Sequence, residues 1–256
     1  MGAGASTEGA NADGNGTIDV NHTLAPGSTT RVRVNNSATV AVSADAAGAV
    51  QVLPLSDRLV LYSDRTPDRM DFERMIKVAK VGYEFESTTT ADELVSSIET
   101  AVRALSASGT GFQSVALANH GPPATADGGF EWAITSGIKI TSAAELQDPQ
   151  NGVRRVLEAL AKATVEGGRV DLFACNLLAS EEGKAVLKEI EAATATNFAA
   201  STNKTGNPTK DDSDWVMESD NVDVKGLYFG DTSAFDGHFE GAKLDWNAFS
   251  SLFASS

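Results

Sequence analysis

A single cysteine, Cys175, stands in 256 residues. That excludes an intramolecular disulfide framework and any multi-thiolate zinc site. The three histidines, His22, His120 and His238, are scattered along the chain, which leaves no imidazole cluster to hold a metal. Basic residues are scarce too, 20 Lys and Arg against 35 Asp and Glu. The formal charge of -15 repels a phosphate backbone, and no Lys/Arg cluster offsets it locally, so no nucleic-acid partner is expected. No apolar run approaches the roughly 20 residues that cross a bilayer. The N-terminus also lacks the basic and apolar regions of a secretory signal. No transmembrane segment is expected, and cytoplasmic is the default location. The one membrane route on offer is Gly2 in "MGAGAS", which with Ser6 fits the N-myristoylation pattern.

What is present is a chain rich enough in apolar residues, 41%, to bury a sizeable core. Residues 1 to 16 are Gly, Ala, Ser and Asn with little to bury, and read as an extended or flexible arm. From 17 to 54, short bursts of alternation such as "TTRVRVNN" and "ATVAVSAD" are broken by turn residues. They predict a small antiparallel β unit. From 55 to 230 apolar strands alternate with amphipathic helices. "RLVLYS", "VGYEFES", "SVALANHG", "VDLFACN" and "NFAAS" read as strands, and helices are expected from about 67, 90, 152 and 180. Such alternation specifies an α/β fold, a three-layer αβα sandwich around a mostly parallel sheet. "WVMES" and "NVDVKGLYF" read as a closing hairpin. Residues 231 to 256 read as a tail ending in a docking helix, with Trp246, Phe249, Leu252 and Phe253 on one face.

Side chains just past the carboxyl ends of parallel strands converge on one rim, where open α/β folds place their sites. Two strands here end in reactive residue types, His120-Gly121 and Cys175-Asn176. If they are neighbours, imidazole and thiol meet. A thiol near its free pKa of about 8.5 needs a base or cation to act as a nucleophile at neutral pH. His120 is the candidate base. The N–H groups of Gly121 and Cys175 could form an oxyanion hole, and the helix that starts near residue 180 could favour the thiolate modestly. The competing reading makes Cys175 a small apolar filler and His120 a loop residue.

The landmarks "NHG" at 119–121, "FACN" at 173–176, the helix and strand through "NFAAST" at 197–202, "KTG" at 204–206 and "SDWVMES" at 213–219 occur in a fixed order. Together they resemble the caspase-like clan of cysteine peptidases. Within it they are closest to the His-Gly…Cys-Asn domain of large bacterial surface adhesins. The resemblance implies a caspase-like sheet, a cell-surface or extracellular location in some relatives, His120 as general base, Cys175 as nucleophile and Gly121 lining the oxyanion hole. It also implies a peptide or protein substrate, self-processing included. Because P1 pockets in this clan are charged, the acidic residues Asp171 and Asp127 are expected to line a pocket for a basic side chain, with Asp211 and Asp212 near the same rim.

The sequence leaves an alternative open. Ala174 stands where the family has Gly before the cysteine, Pro122 and Pro123 follow His-Gly, and "DDSD" replaces a Gly pair before Trp215. These changes fit a catalytically inactive caspase-fold module that works through protein partners in a larger assembly. No cofactor is expected. Calcium has only a partial ligand set, since "NADGNGTIDVNH" at 11–22 ends in His22 where a calcium loop needs Glu. Asp211, Asp212 and Asp214 form an acidic loop that could bind it weakly.

Overall fold

The apolar run that opens the α/β region, Leu59 to Tyr62, has all four residues fully buried, as a strand covered on both faces requires. The computed structural model describes residues 57–66, 69–76, 81–106, 109–123, 129–208, 213–233 and 235. It also describes the backbone of strands at 10–12, 18–20, 29–33, 38–44 and 50–52.

In chain order the elements begin with β1 (Ala10–Ala12), β2 (Ile18–Val20), β3 (Thr29–Arg33), β4 (Ala38–Ala44) and β5 (Val50–Val52). Next come β6 (Arg58–Ser63), α1 (Arg69–Met75), β7 (Val81–Phe85), α2 (Ala91–Leu105) and β8 (Phe112–Ala118). Then come a short antiparallel pair, β9 (Trp132–Thr135) and β10 (Ile138–Ile140), and a 3-10 turn at Ala143–Gln147. The remainder is α3 (Gly152–Lys162), β11 (Thr164–Phe173), α4 (Glu181–Thr194), β12 (Asn197–Ala200), β13 (Val216–Met217), β14 (Val222–Asp223) and α5 (Lys225–Tyr228).

The fold is mixed α/β with a mainly parallel central sheet. Its strands lie in the order β12-β11-β8-β6-β7-β4-β3, parallel from β12 to β7 and antiparallel beyond. The five parallel strands therefore follow the order 2-1-3-4-5, and chain order reverses between β6 and β8. In open α/β sheets the carboxyl ends at such a reversal are where sites are placed.

Side-chain alternation along the strands splits the core in two. Leu59, Leu61, Val115, Leu117, Val170 and Leu172 face α2, α3 and α4. Val60, Tyr62, Ala116, Ala118, Phe173 and Cys175 face α1, α5 and the β13–β14 hairpin. Aromatic rings dominate the second face. Phe173 meets Tyr228 edge-on at 5.4 Å and Trp215 at 6.0 Å, while Phe72 sits 5.7 Å from both Tyr62 and Phe235.

The structure differs from the sequence expectations in three places. Residues 10–12 pair as a strand with 18–20 inside what was expected to be an arm. The strands predicted as a separate N-terminal unit are antiparallel as expected, yet β4 also pairs with β7 and so continues the central sheet. Residues 225–228, expected to extend the hairpin, turn into α5 instead. The Asp223 carboxylate accepts the Lys225 N–H at 2.9 Å and starts that turn. The acylation motif at Gly2, the loop at 13–17 with His22, and the predicted C-terminal helix lie outside the described residues.

Candidate functional site

Strands β8 and β11 are neighbours and parallel, with Leu117 opposite Leu172 and Ala118 opposite Phe173. The pairing runs one step past β8, because the Asn119 N–H donates to the Phe173 carbonyl at 3.2 Å. Continuing that register sets His120 level with Cys175. Cys175 packs with the aromatic face, beside Phe173 and Ala118. The two reactive residue types therefore share one rim of the sheet.

Gly121 fits this junction because it has no side chain. A Cβ there would lie 1.8 Å from the Cys175 carbonyl oxygen and 2.8 Å from its amide nitrogen, so the two backbones are in direct contact. Asn119, buried beneath, donates from Nδ2 to the carbonyls of His120 at 3.1 Å and Ala133 at 2.9 Å. It thereby ties the His120 turn to β9.

The His120 ring reaches the turn that follows β6. Its Nε2 lies 3.0 Å from the Arg65 carbonyl oxygen. A carbonyl only accepts, so in this hydrogen bond Nε2 carries the proton. Arg65 is itself fixed, since its Nε donates to the Ser87 hydroxyl at 2.9 Å, and the Asp64 carboxylate accepts the Ser87 N–H at 2.9 Å.

Cys175 is 0% exposed. The Thr205 N–H donates to its Sγ at 3.2 Å, and the thiol faces the Thr205 carbonyl at 3.7 Å. After the cysteine the chain turns through Asn176 in the left-handed region, φ 58°, which asparagine tolerates better than most side chains. The turn is laced to the chain just beyond β12. Asn176 N–H donates to the Asn203 carbonyl at 2.7 Å, and Leu178 N–H to the Ser201 carbonyl at 3.0 Å. Helix α4 starts at Ser180, whose side chain caps the Gly183 N–H, but Glu181 and Glu182 occupy its first turn. Those carboxylates already complement the dipole expected to favour a thiolate.

The expected acidic pocket needs correction. Asp171 lies four residues before Cys175, about 13 Å along the strand, and is fully buried. Arg169 Nε donates to its two oxygens at 2.9 and 3.1 Å, and the Tyr228 hydroxyl donates to it at 2.6 Å. Arg169 also pairs with Asp220 at 2.9 Å. Burial pushes the Asp171 carboxyl up, while Arg169 and Tyr228 favour its charged form. Burial beside Asp171 pushes the Tyr228 phenol well above its usual range. With its carboxylate occupied and no exposed surface, Asp171 cannot receive a substrate cation. Asp127, Asp211 and Asp212 lie outside the described residues. Asp214 accepts the Val216 N–H at 2.9 Å and the Asn203 side-chain amide at 3.5 Å. Among the described residues no group of three or more His, Cys, Asp or Glu side chains could hold a metal ion, and no helix is long and apolar enough to cross a membrane.

Sequence reasoning missed Arg65, Thr205 and the Arg169 partnership. The first two act through backbone atoms, which leave no residue signature. The third had one: Arg169 and Asp171, two apart in an apolar strand, must share a face.

Residues 69–237 match the model of a family described as a domain of unknown function, DUF4347. The chain belongs to the DUF4347 family. The matched span of this DUF4347 protein runs from α1 past α5 and includes His120, Gly121, Cys175 and Thr205. No curated protein matches the chain. Among solved structures, two double variants of a Serratia marcescens short-chain dehydrogenase/reductase align at 12% and 13% identity. They cover 55% of this chain and 67% and 68% of theirs, each with a TM-score of 0.28. A score of that size does not carry a shared fold.

Proposed function

We propose that this DUF4347 protein is a cysteine endopeptidase of the caspase-like clan, with His120 as the base and Cys175 as the nucleophile. One observation carries the reading. Strands β8 and β11 are adjacent and parallel, so the carboxyl ends followed by His120 and by Cys175 lie side by side, and the His120 Nε2 proton is held by the Arg65 carbonyl. The 2-1-3-4-5 order of the parallel strands, with helices packed against both faces, supports the caspase-like αβα form.

In the proposed reaction the Cys175 thiol gives its proton to the His120 imidazole as sulfur bonds to the substrate carbonyl carbon. The peptide C–N bond breaks, and the imidazolium returns the proton to the leaving amine. Water then hydrolyses the thioester and restores the thiol. Backbone N–H groups of Gly121 and Cys175 are the candidate donors to the developing oxyanion.

A second reading, a caspase-fold module without activity that serves protein partners, is favoured by the full burial of Cys175. Hydrolysis of fluorescein-labelled casein separates the two. Wild type is expected to cleave, Cys175→Ala to be inactive, and His120→Ala to lose about 10²- to 10⁴-fold. Turnover no greater than that of Cys175→Ala, in wild type and in any variant that uncovers the Cys175 sulfur, would leave the inactive module as the answer.

A further inference from the structure

The thiol that would have to meet a substrate is covered by backbone. Residues 203–207 run over it. Thr205 contributes both its N–H and its carbonyl to Sγ, and the segment pairs with Asp214 on its far side, through Gly206 N–H to the Asp214 carbonyl at 2.8 Å and Asp214 N–H to the Lys204 carbonyl at 3.1 Å. The Thr205 hydroxyl is buried without a partner, a cost this conformation carries that an opened segment in water would not.

What holds the segment down is the side chain of Asn207. Its Nδ2 donates to the carbonyls of Thr232 and Phe235, the latter at 2.7 Å, and its Oδ1 accepts the Trp215 indole N–H at 3.1 Å. The Ser213 hydroxyl donates to its carbonyl. Phe235 in turn packs 6.0 Å from Trp215 and 5.7 Å from Phe72. One buried amide thus joins the cover over Cys175 to the chain beyond α5.

We infer that residues 203–207 form an autoinhibitory strap over Cys175, and that Thr232 and Phe235 are the clamp that keeps it closed through Asn207. As a regulation of the proposed active site this rests on the peptidase reading, but the strap itself is a matter of access and is measured without turnover. Displacing the clamp, by cutting the chain after α5 or by a partner that takes up Phe235, frees the strap and exposes the sulfur.

The test is the rate of Cys175 alkylation by iodoacetamide in the native full-length protein. Asn207→Ala removes the clamp's hydrogen bonds, and Phe235→Ala removes its ring contacts as a second route should the first variant fold poorly. Val156→Ala, on the opposite face of the sheet, lowers global stability without touching the strap. Opening of the strap predicts alkylation about tenfold faster or more in Asn207→Ala or Phe235→Ala. The rate should be independent of urea below the unfolding transition, and Val156→Ala should be essentially unchanged. Two results overturn it: strap variants that react no faster than wild type, or an acceleration that Val156→Ala shares and that rises with urea along the global unfolding slope. Faster alkylation without casein cleavage supports the strap while removing the peptidase reading, so the two fail separately.

Discussion

At Gly121 the requirement for a single residue type can be put as a distance. A methyl group there would overlap the Cys175 carbonyl oxygen at 1.8 Å and approach its carbonyl carbon at 2.7 Å, and backbone atoms have no rotamer by which to move away. Gly121→Ala is therefore expected to destabilise the protein by about 3 kcal/mol or more, since the β8 and β11 ends must part. Gly137, in the β9–β10 turn, has nothing within 4 Å of its virtual Cβ. Gly137→Ala is expected to be neutral or to stabilise by about 0.4–1 kcal/mol through the unfolded chain. Urea midpoints at constant m compare the pair. Equal midpoints for the two variants would mean that the β8–β11 junction is looser than the geometry describes. The sequence allowed a different reason for the same glycine, an N–H aimed at substrate. Only the strand pairing brings out the backbone contact, because which two carboxyl ends lie side by side is a property of the sheet and not of either segment.

At the scale of elements, local chemistry was the most legible part of the chain. "TTTADEL" announces a capped helix, and Thr90 indeed caps α2 while Glu93 reaches back to the Thr90 N–H at 2.8 Å and its hydroxyl at 2.7 Å. Those donors hold the Glu93 carboxyl below its ordinary value of 4.5. A carboxyl depressed in the folded state contributes stability that is present above the ordinary value and is lost as pH falls through the folded one. The first turn of α2 should therefore fray below about pH 4.5, with amide protection at Glu93 and Leu94 falling while the interior of the helix stays protected. In Thr90→Ala the Glu93 titration, followed by NMR, should move up toward the ordinary value, and the helix should lose about 1 kcal/mol of stability. A Glu93 titration unchanged in that variant would show that the box does not persist in solution. Elements governed by tertiary contacts were harder to read. "NVDVKGLYF" alternates like a strand, yet it turns into α5, because Tyr228 has a buried acceptor in Asp171 and Phe229 packs 4.6 Å from Trp215. Neither partner is near in sequence.

The whole molecule carries a strong negative charge, and among the described residues the one buried charge, Asp171, is nonetheless paired. Arg169 and Asp171 sit within β11, with side-chain exposures of 16% and 0%, and between them they bolt the strand to α5 through Tyr228 and to the β13–β14 turn through Asp220. Removing one member leaves the other desolvated and unpaired, whereas removing both in favour of apolar groups of similar size removes the desolvation along with the attraction. Arg169→Met or Asp171→Leu alone is thus expected to cost about 3–5 kcal/mol, and the double variant less than either single change. Because Asp171 belongs to this network and not to a substrate pocket, casein cleavage by the double variant, corrected for the folded fraction, should match wild type. A double variant that folds fully but has lost cleavage would return Asp171 to the site, and the four-residue separation between it and Cys175 along one strand would then have to be bridged by a shift of β11 itself.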